Sequence, residues 1–188
     1  MKYTVQSIRD RYNAGEALRV IAFWGHTREA GKKMTKACLS QWYDCRFVVE
    51  NVEYHTAEQY MMARKAERMG DRESWEKIMA AENPRDCKAL GRGVRPFDPE
   101  VWDREKYGIV LTGNLAKFSQ NPDLLDFLSG TGDSVLAEGS PYDGIWGVRM
   151  HAEDPDIANP NLWKGENLLG LALMEVRDIL QEGRQAAI

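Results

Sequence analysis

This sequence offers little that could hold a metal, a disulfide or a membrane. The three cysteines, Cys38, Cys45 and Cys87, form no CxxC pair and cannot all be joined to one another. They read as small apolar thiols of a reduced, intracellular protein. The three histidines, His26, His55 and His151, show no metal-ligand spacing, which argues against a structural or catalytic zinc. No apolar run approaches the ~20 residues that a membrane helix needs. The opening stretch, MKYTVQSIRDRY, is too charged for a secretory signal. The expected location is therefore the cytoplasm. GxGxxG and GxxxxGKS/T are absent, so neither a Rossmann nor a P-loop nucleotide site is supported. GxSxG is absent as well, and no cysteine stands in a catalytic context. Repeats, low-complexity tracts and Pro/Gly/Ser linkers are also missing.

What is present describes an ordinary globular chain. A length of 188 residues suits one domain with a core large enough to need no staples. A balance of 43% hydrophobic and 29% charged residues excludes disorder. The net charge of −4 opposes a protein that coats nucleic acid through its overall field. Six tryptophans are many for this length, and an indole is a good face for a flat heterocycle.

Periodicity and turn chemistry predict an α+β chain, mainly helical, with a few short strands. Helices are expected at 4–14 (closed by Gly15), from Thr56 to Gly70, and at 72–81, 84–91, 99–120, 122–129 and 166–181. Asn83-Pro84 and Asp98-Pro99 place an N-cap and a first-turn proline together. Thr56-x-x-Gln59 fits a capping box. Strands are expected at 18–24, at 45–49 and 52–54 around Glu50-Asn51, and at 134–137. A basic loop spans His26 to Lys36, and a long loop region spans 139–163.

The helix after Thr56 carries the most informative pattern. Glu58 and Lys65 are seven residues apart and fall within about 20° of each other, on a stripe with Met61, Met62 and Met69. Tyr60, Arg64 and Glu67 mark the opposite face. Charges in an apolar stripe fit either a half-buried ion pair or a pocket wall facing a ligand. On the 99–120 helix, Asn114 and Lys117 share a side with Tyr107, Val110, Leu111 and Phe118, and would suit a ribose or phosphate. Lys88 and Arg92 add basic groups near a helix end. The segment Ser140–Gly147 sets Asp143 three residues before Trp146, between glycines. Carboxylates, amines and indoles without a metal or redox cofactor are the kit for cleaving an N-glycosidic bond. A carboxylate stabilises the oxocarbenium-like transition state and activates water, aromatic planes hold the base, and cations anchor phosphate.

The runs FWGH at 23–26, CLSQWY at 38–43, YHTAEQYMMARKA at 54–66, ALGRGVRPFD at 89–98, GNLAKFSQ at 113–120, SPYDGIWG at 140–147 and NPNLWKGENLLGLALMEVRD at 159–178 resemble the NADAR superfamily in its YbiA-like N-glycosidase form. The resemblance implies a single mainly helical α+β domain over 23–188, with residues 1–22 as an N-terminal helix-and-strand extension. It also implies hydrolysis of a ribosyl–base bond, either in phosphoribosylamino-pyrimidine intermediates of riboflavin synthesis or in ADP-ribosylated guanine of nucleic acid. By motif, Glu58, Lys65 and Asp143 correspond to catalytic positions. Trp24, Trp42, Asn114, Lys117 and Trp146 correspond to substrate-binding ones, joined by Lys88 and Arg92. Gln59 stands where many members have His. No metal or cofactor is implied. The contrasting readings are a non-catalytic sensor of ADP-ribose or NAD and an ordinary nucleic-acid-binding protein.

Overall fold

Thr4 and Ser7 exchange side-chain and backbone hydrogen bonds in a reciprocal capping box, and this starts α1 (Val5–Asn13). Gly15, at φ +83°, turns the chain away just after its end. The computed structural model describes residues 1–27, 31 and 33–186, without the side chain of 185. Part of the basic loop expected at His26–Lys36 therefore lies outside the described residues. The chain divides into two units, Met1–Ser40 with Pro122–Ile188, and Gln41–Asn121.

In the first unit, β1 (Val20–Phe23) pairs in parallel with β4 (Val135–Glu138), in the register Val20↔Val135 to Phe23↔Glu138. The sequence marks both strands but not their pairing, because the partners lie far apart along the chain. Helix α6 (Pro122–Gly130) precedes β4. The 139–163 region contains two short 3-10 turns, Pro155–Ala158 and Pro160–Leu162. Helix α7 (Leu168–Ala186) packs on β4. Its approach is close, since a Cβ on Gly170 would sit 2.1 Å from the Leu136 carbonyl oxygen. Asn167 explains why the helix starts two residues later than expected. It is fully buried at φ +52°, accepts from the Glu138 N–H at 3.0 Å and donates to the Leu136 carbonyl at 2.9 Å.

In the second unit, β2 (Phe47–Val49) and β3 (Val52–Tyr54) form an antiparallel hairpin. Glu50 at φ 52° and Asn51 at φ 64° give the left-handed pair that a tight two-residue turn needs. Four helices follow, α2 (Ala57–Arg68), α3 (Arg72–Ala80), α4 (Pro84–Gly93) and α5 (Pro99–Gln120), with Thr56, Asp71, Asn83 and Asp98 as N-caps. Helix α2 packs against the other three. Gly113 admits the Tyr60 ring, which a Cβ would meet at 2.5 Å. On α2, Ala57 through Ala63 are all buried and a solvent side opens only from Arg64 onward. Three neighbouring helices and the hairpin leave the first two turns no exposed side.

Candidate active site

The first turn of α2 gathers much of the expected chemistry. Thr56 accepts from the Gln59 N–H at 3.1 Å, but the return bond of the capping box is shifted by one residue. Gln59 Oε1 accepts from His55 N–H at 2.9 Å, and its Nε2 donates to the carbonyls of Ile78 and Met79 at 3.2 and 3.3 Å. Gln59 is thus used by the frame. Glu58 is 2% exposed, and its N–H donates to the Gln41 carbonyl at 2.9 Å, which ties it beside Trp42. The dipole of α2 favours its anion there. Cys87 on α4 feels that charge. Its thiol is pushed up to about 11, first by burial and then by Glu58. The next residue, Lys88, places Nζ 5.9 Å from the centroid of the half-buried Trp42 ring. Glu58, Trp42 and Lys88 are therefore brought to one end of α2.

Asn114 and Lys117 stand behind that end. Asn114 is fully buried and donates to Gln41 Oε1 at 2.8 Å and to the Val110 carbonyl at 2.9 Å. Lys117, also fully buried, lies 5.8 Å from the Tyr43 ring and 5.1 Å from that of Phe118. Neither exposes surface in this structure. They support the Gln41–Tyr43 segment. Gln41 acts through its backbone carbonyl and its side-chain oxygen, neither of which has a periodic signature in the sequence.

Lys65, two turns along α2, has a different setting. Its Nζ donates to the Gly91 carbonyl at 2.8 Å and stands 4.4 Å from the Phe97 centroid and 5.6 Å from that of Trp102. Burial lowers its pKa, and Arg95 lowers it further. A Cβ on Gly91 would meet Met62 Sδ at 2.0 Å, so glycine is what lets α4 lie against α2 here. Arg92, the next residue, is exposed. Phe97 and Trp102 carried no periodic signal, although Phe97 lies inside the ALGRGVRPFD run.

The first unit carries the remaining residues. Trp24 follows β1, is 49% exposed, and meets His151 edge-on with centroids 6.3 Å apart. The Ser140–Gly147 loop follows β4. Since β1 and β4 are parallel, both segments leave adjacent carboxyl ends, where ligands gather in parallel sheets. Asp143 Oδ1 accepts from the N–H groups of Ile145 at 3.0 Å and Trp146 at 2.8 Å, a side-chain-closed turn. The carbonyls of Gly144, Ile145, Trp146 and Gly147 accept from Glu166, Leu168, Leu169 and Asn167, so the loop satisfies N–H groups at the start of α7. The half-buried Trp146 therefore sits on a rigid platform. Among the described residues, no group of three or more His, Cys, Asp or Glu could share a metal ion, and no helix is long and apolar enough to cross a membrane.

A model of the NADAR domain matches residues 22–181. The chain belongs to the NADAR family. Among NADAR relatives it is 45% identical over 148 residues to "N-glycosidase R617" of Acanthamoeba polyphaga mimivirus, covering 76% of this chain and 87% of that one. It is 30% identical over 141 residues to "N-glycosidase Npun_R5314" of Nostoc punctiforme, covering 75% and 83%. The solution structure of the E. coli protein YbiA shares the fold at TM-score 0.72, with 23% identity over 89% of this chain and 88% of that one. The expected mainly helical α+β NADAR architecture is thus present.

Proposed function

We infer that this NADAR chain hydrolyses the N-glycosidic bond between a ribose and a planar base in a phosphate-bearing, nucleotide-like substrate. The observation that carries this reading is the buried Glu58 at the start of α2, its N–H bonded to the Gln41 carbonyl next to Trp42, whose ring lies 5.9 Å from Lys88 Nζ. A carboxylate in a dry first turn lowers the energy of the cationic sugar as the C–N bond breaks. The bonding pair leaves with the base, water adds to C1 of the ribose, and the water proton passes by way of Glu58 to the departing base. Trp42 offers a face to the base, and Lys88 and Arg92 offer cations to phosphate. The ammonium of Lys65 orients a ribose hydroxyl or phosphate oxygen. Asn114 and Lys117 hold the Gln41–Tyr43 segment. In the other unit, Trp24 and Trp146 are the indoles suited to ligand contact, and Asp143 sets the Trp146 turn. The names of the two N-glycosidase relatives support the reaction class.

Incubation with phosphoribosylamino-pyrimidines, ADP-ribosylated guanosine, NAD and plain nucleosides, followed by mass spectrometry for free base, tests this reading. Free base from a phosphate-bearing member supports it and identifies the branch. Tight binding of ADP-ribose with no base released from any member would establish a sensor instead.

A further inference from the structure

Lys65 ends in a three-sided setting whose walls come from three places: Gly91 at the end of α4, Phe97 in the 94–98 connection, and Trp102 in the first turn of α5. Each wall is fixed. Gly91 lies against Met62. The connection is tied at one end by the Arg95 N–H, which donates to Asp71 Oδ2 at 2.8 Å. At the other end Asp98 caps α5, with Oδ1 accepting from Glu100 and Val101 at 2.9 and 3.1 Å. One of the three ammonium N–H groups is committed to Gly91.

The charges around Lys65 are otherwise engaged or repulsive. On α2, Arg64 pairs with Glu50 and Glu67, and Arg68 pairs with Glu105 of α5. Asp71, before α3, is committed to Arg95 and Ser74 N–H groups. Arg92 of α4 is exposed, and Arg95 repels the ammonium. One carbonyl and two ring faces therefore surround this cation, and their burial of it outweighs their attraction.

We propose that Phe97 and Trp102 are positioning residues for the reaction. With the Gly91 carbonyl they hold the Lys65 ammonium in one orientation and shield it from water, so that it meets the substrate in a single geometry. This rests on the reading of Lys65 as a substrate-facing group. The cage has a cost in adaptability and a gain in precision, and small misplacements of such a group reduce rate steeply.

The test follows the Lys65 side-chain amine by NMR in isotope-labelled full-length chain, assigned with Lys65→Met, alongside kcat and KM on whichever panel substrate the wild type cleaves. Phe97 is 40% exposed, so its replacement spares the core. Phe97→Ala should move the Lys65 pKa up toward the ordinary lysine value, because burial is the main cause of its depression. The same variant should lower kcat by about ten- to a hundredfold with little change in KM. Trp102→Leu should act alike, and Phe97→Tyr, which keeps the ring face, should restore both readouts. An active wild type whose Lys65 titration and kcat are unmoved by Phe97→Ala overturns the cage alone. A loss of kcat that Phe97→Tyr fails to rescue also overturns it. A wild type that releases no base from any substrate overturns the hydrolase reading and the catalytic role of the cage with it.

Discussion

The N–H of Glu58 donates to the Gln41 carbonyl at 2.9 Å, so the acid and Trp42 are held in register by one backbone bond. Two buried groups reinforce it from behind: Asn114 grips the Gln41 side chain, and the Lys117 amine lies near the Tyr43 ring. Acid, indole and support are thus one connected unit, and its parts should respond differently to substitution.

Glu58→Gln keeps the shape and removes the charge. It should lower kcat by at least ~100-fold, a typical cost for losing one preorganised electrostatic group, while circular dichroism stays unchanged. Near-wild-type turnover would exclude Glu58 from the chemistry.

Asn114→Ala tests the support. It removes two hydrogen bonds in a dry place and strands Gln41 Oε1, so it should destabilise the fold by about 1–3 kcal/mol in urea melts. Turnover should fall as well, because the Gln41–Trp42 segment loses its anchor. A variant with unchanged stability would mean that Gln41 is held by other means.

Trp42→Ala tests the aromatic face next to Gln41. Stacking is worth ~1–3 kcal/mol per base, so the change should weaken substrate binding by roughly ten- to a hundredfold. If only the melting temperature falls, that indole is core.

Lys65→Met should impair turnover and leave the chain folded, since the methionine keeps the apolar stripe. The pH dependence has a defined sign. Burial lowers the Lys65 pKa, so an ammonium needed for turnover is lost as pH rises through that lowered value, and the alkaline limb should begin below the ordinary lysine range. Lys65→Met should abolish that limb. Borohydride trapping of a sugar on Lys65 would show instead that the neutral amine attacks C1.

Dialysis against EDTA should leave turnover intact, because the chemistry assigned to Glu58 and Lys65 needs no Lewis acid. Activity lost and then restored by one divalent ion would overturn that assignment.

The local rules written in the chain determined its elements. Thr4, Thr56, Asp71, Asn83 and Asp98 cap helices where short oxygen-bearing side chains precede apolar periods, and Glu50-Asn51 turns the hairpin. These features depend on residues within a few positions of each other, so they survive without knowledge of the fold. The motif runs likewise marked Glu58, Lys65 and Asp143 as residues to examine. Tertiary structure alone decided which of them shares a setting with which. Helical spacing puts Glu58 and Lys65 on one stripe, yet Glu58 is tied to Gln41 and Lys65 is boxed by Gly91, Phe97 and Trp102. The same holds for the β1–β4 pairing and for the burial of Asn114 and Lys117. A side chain's solvent exposure, and the charge and reach that follow from it, are set by segments remote in sequence that pack over it, and no periodicity along a single helix encodes those partners.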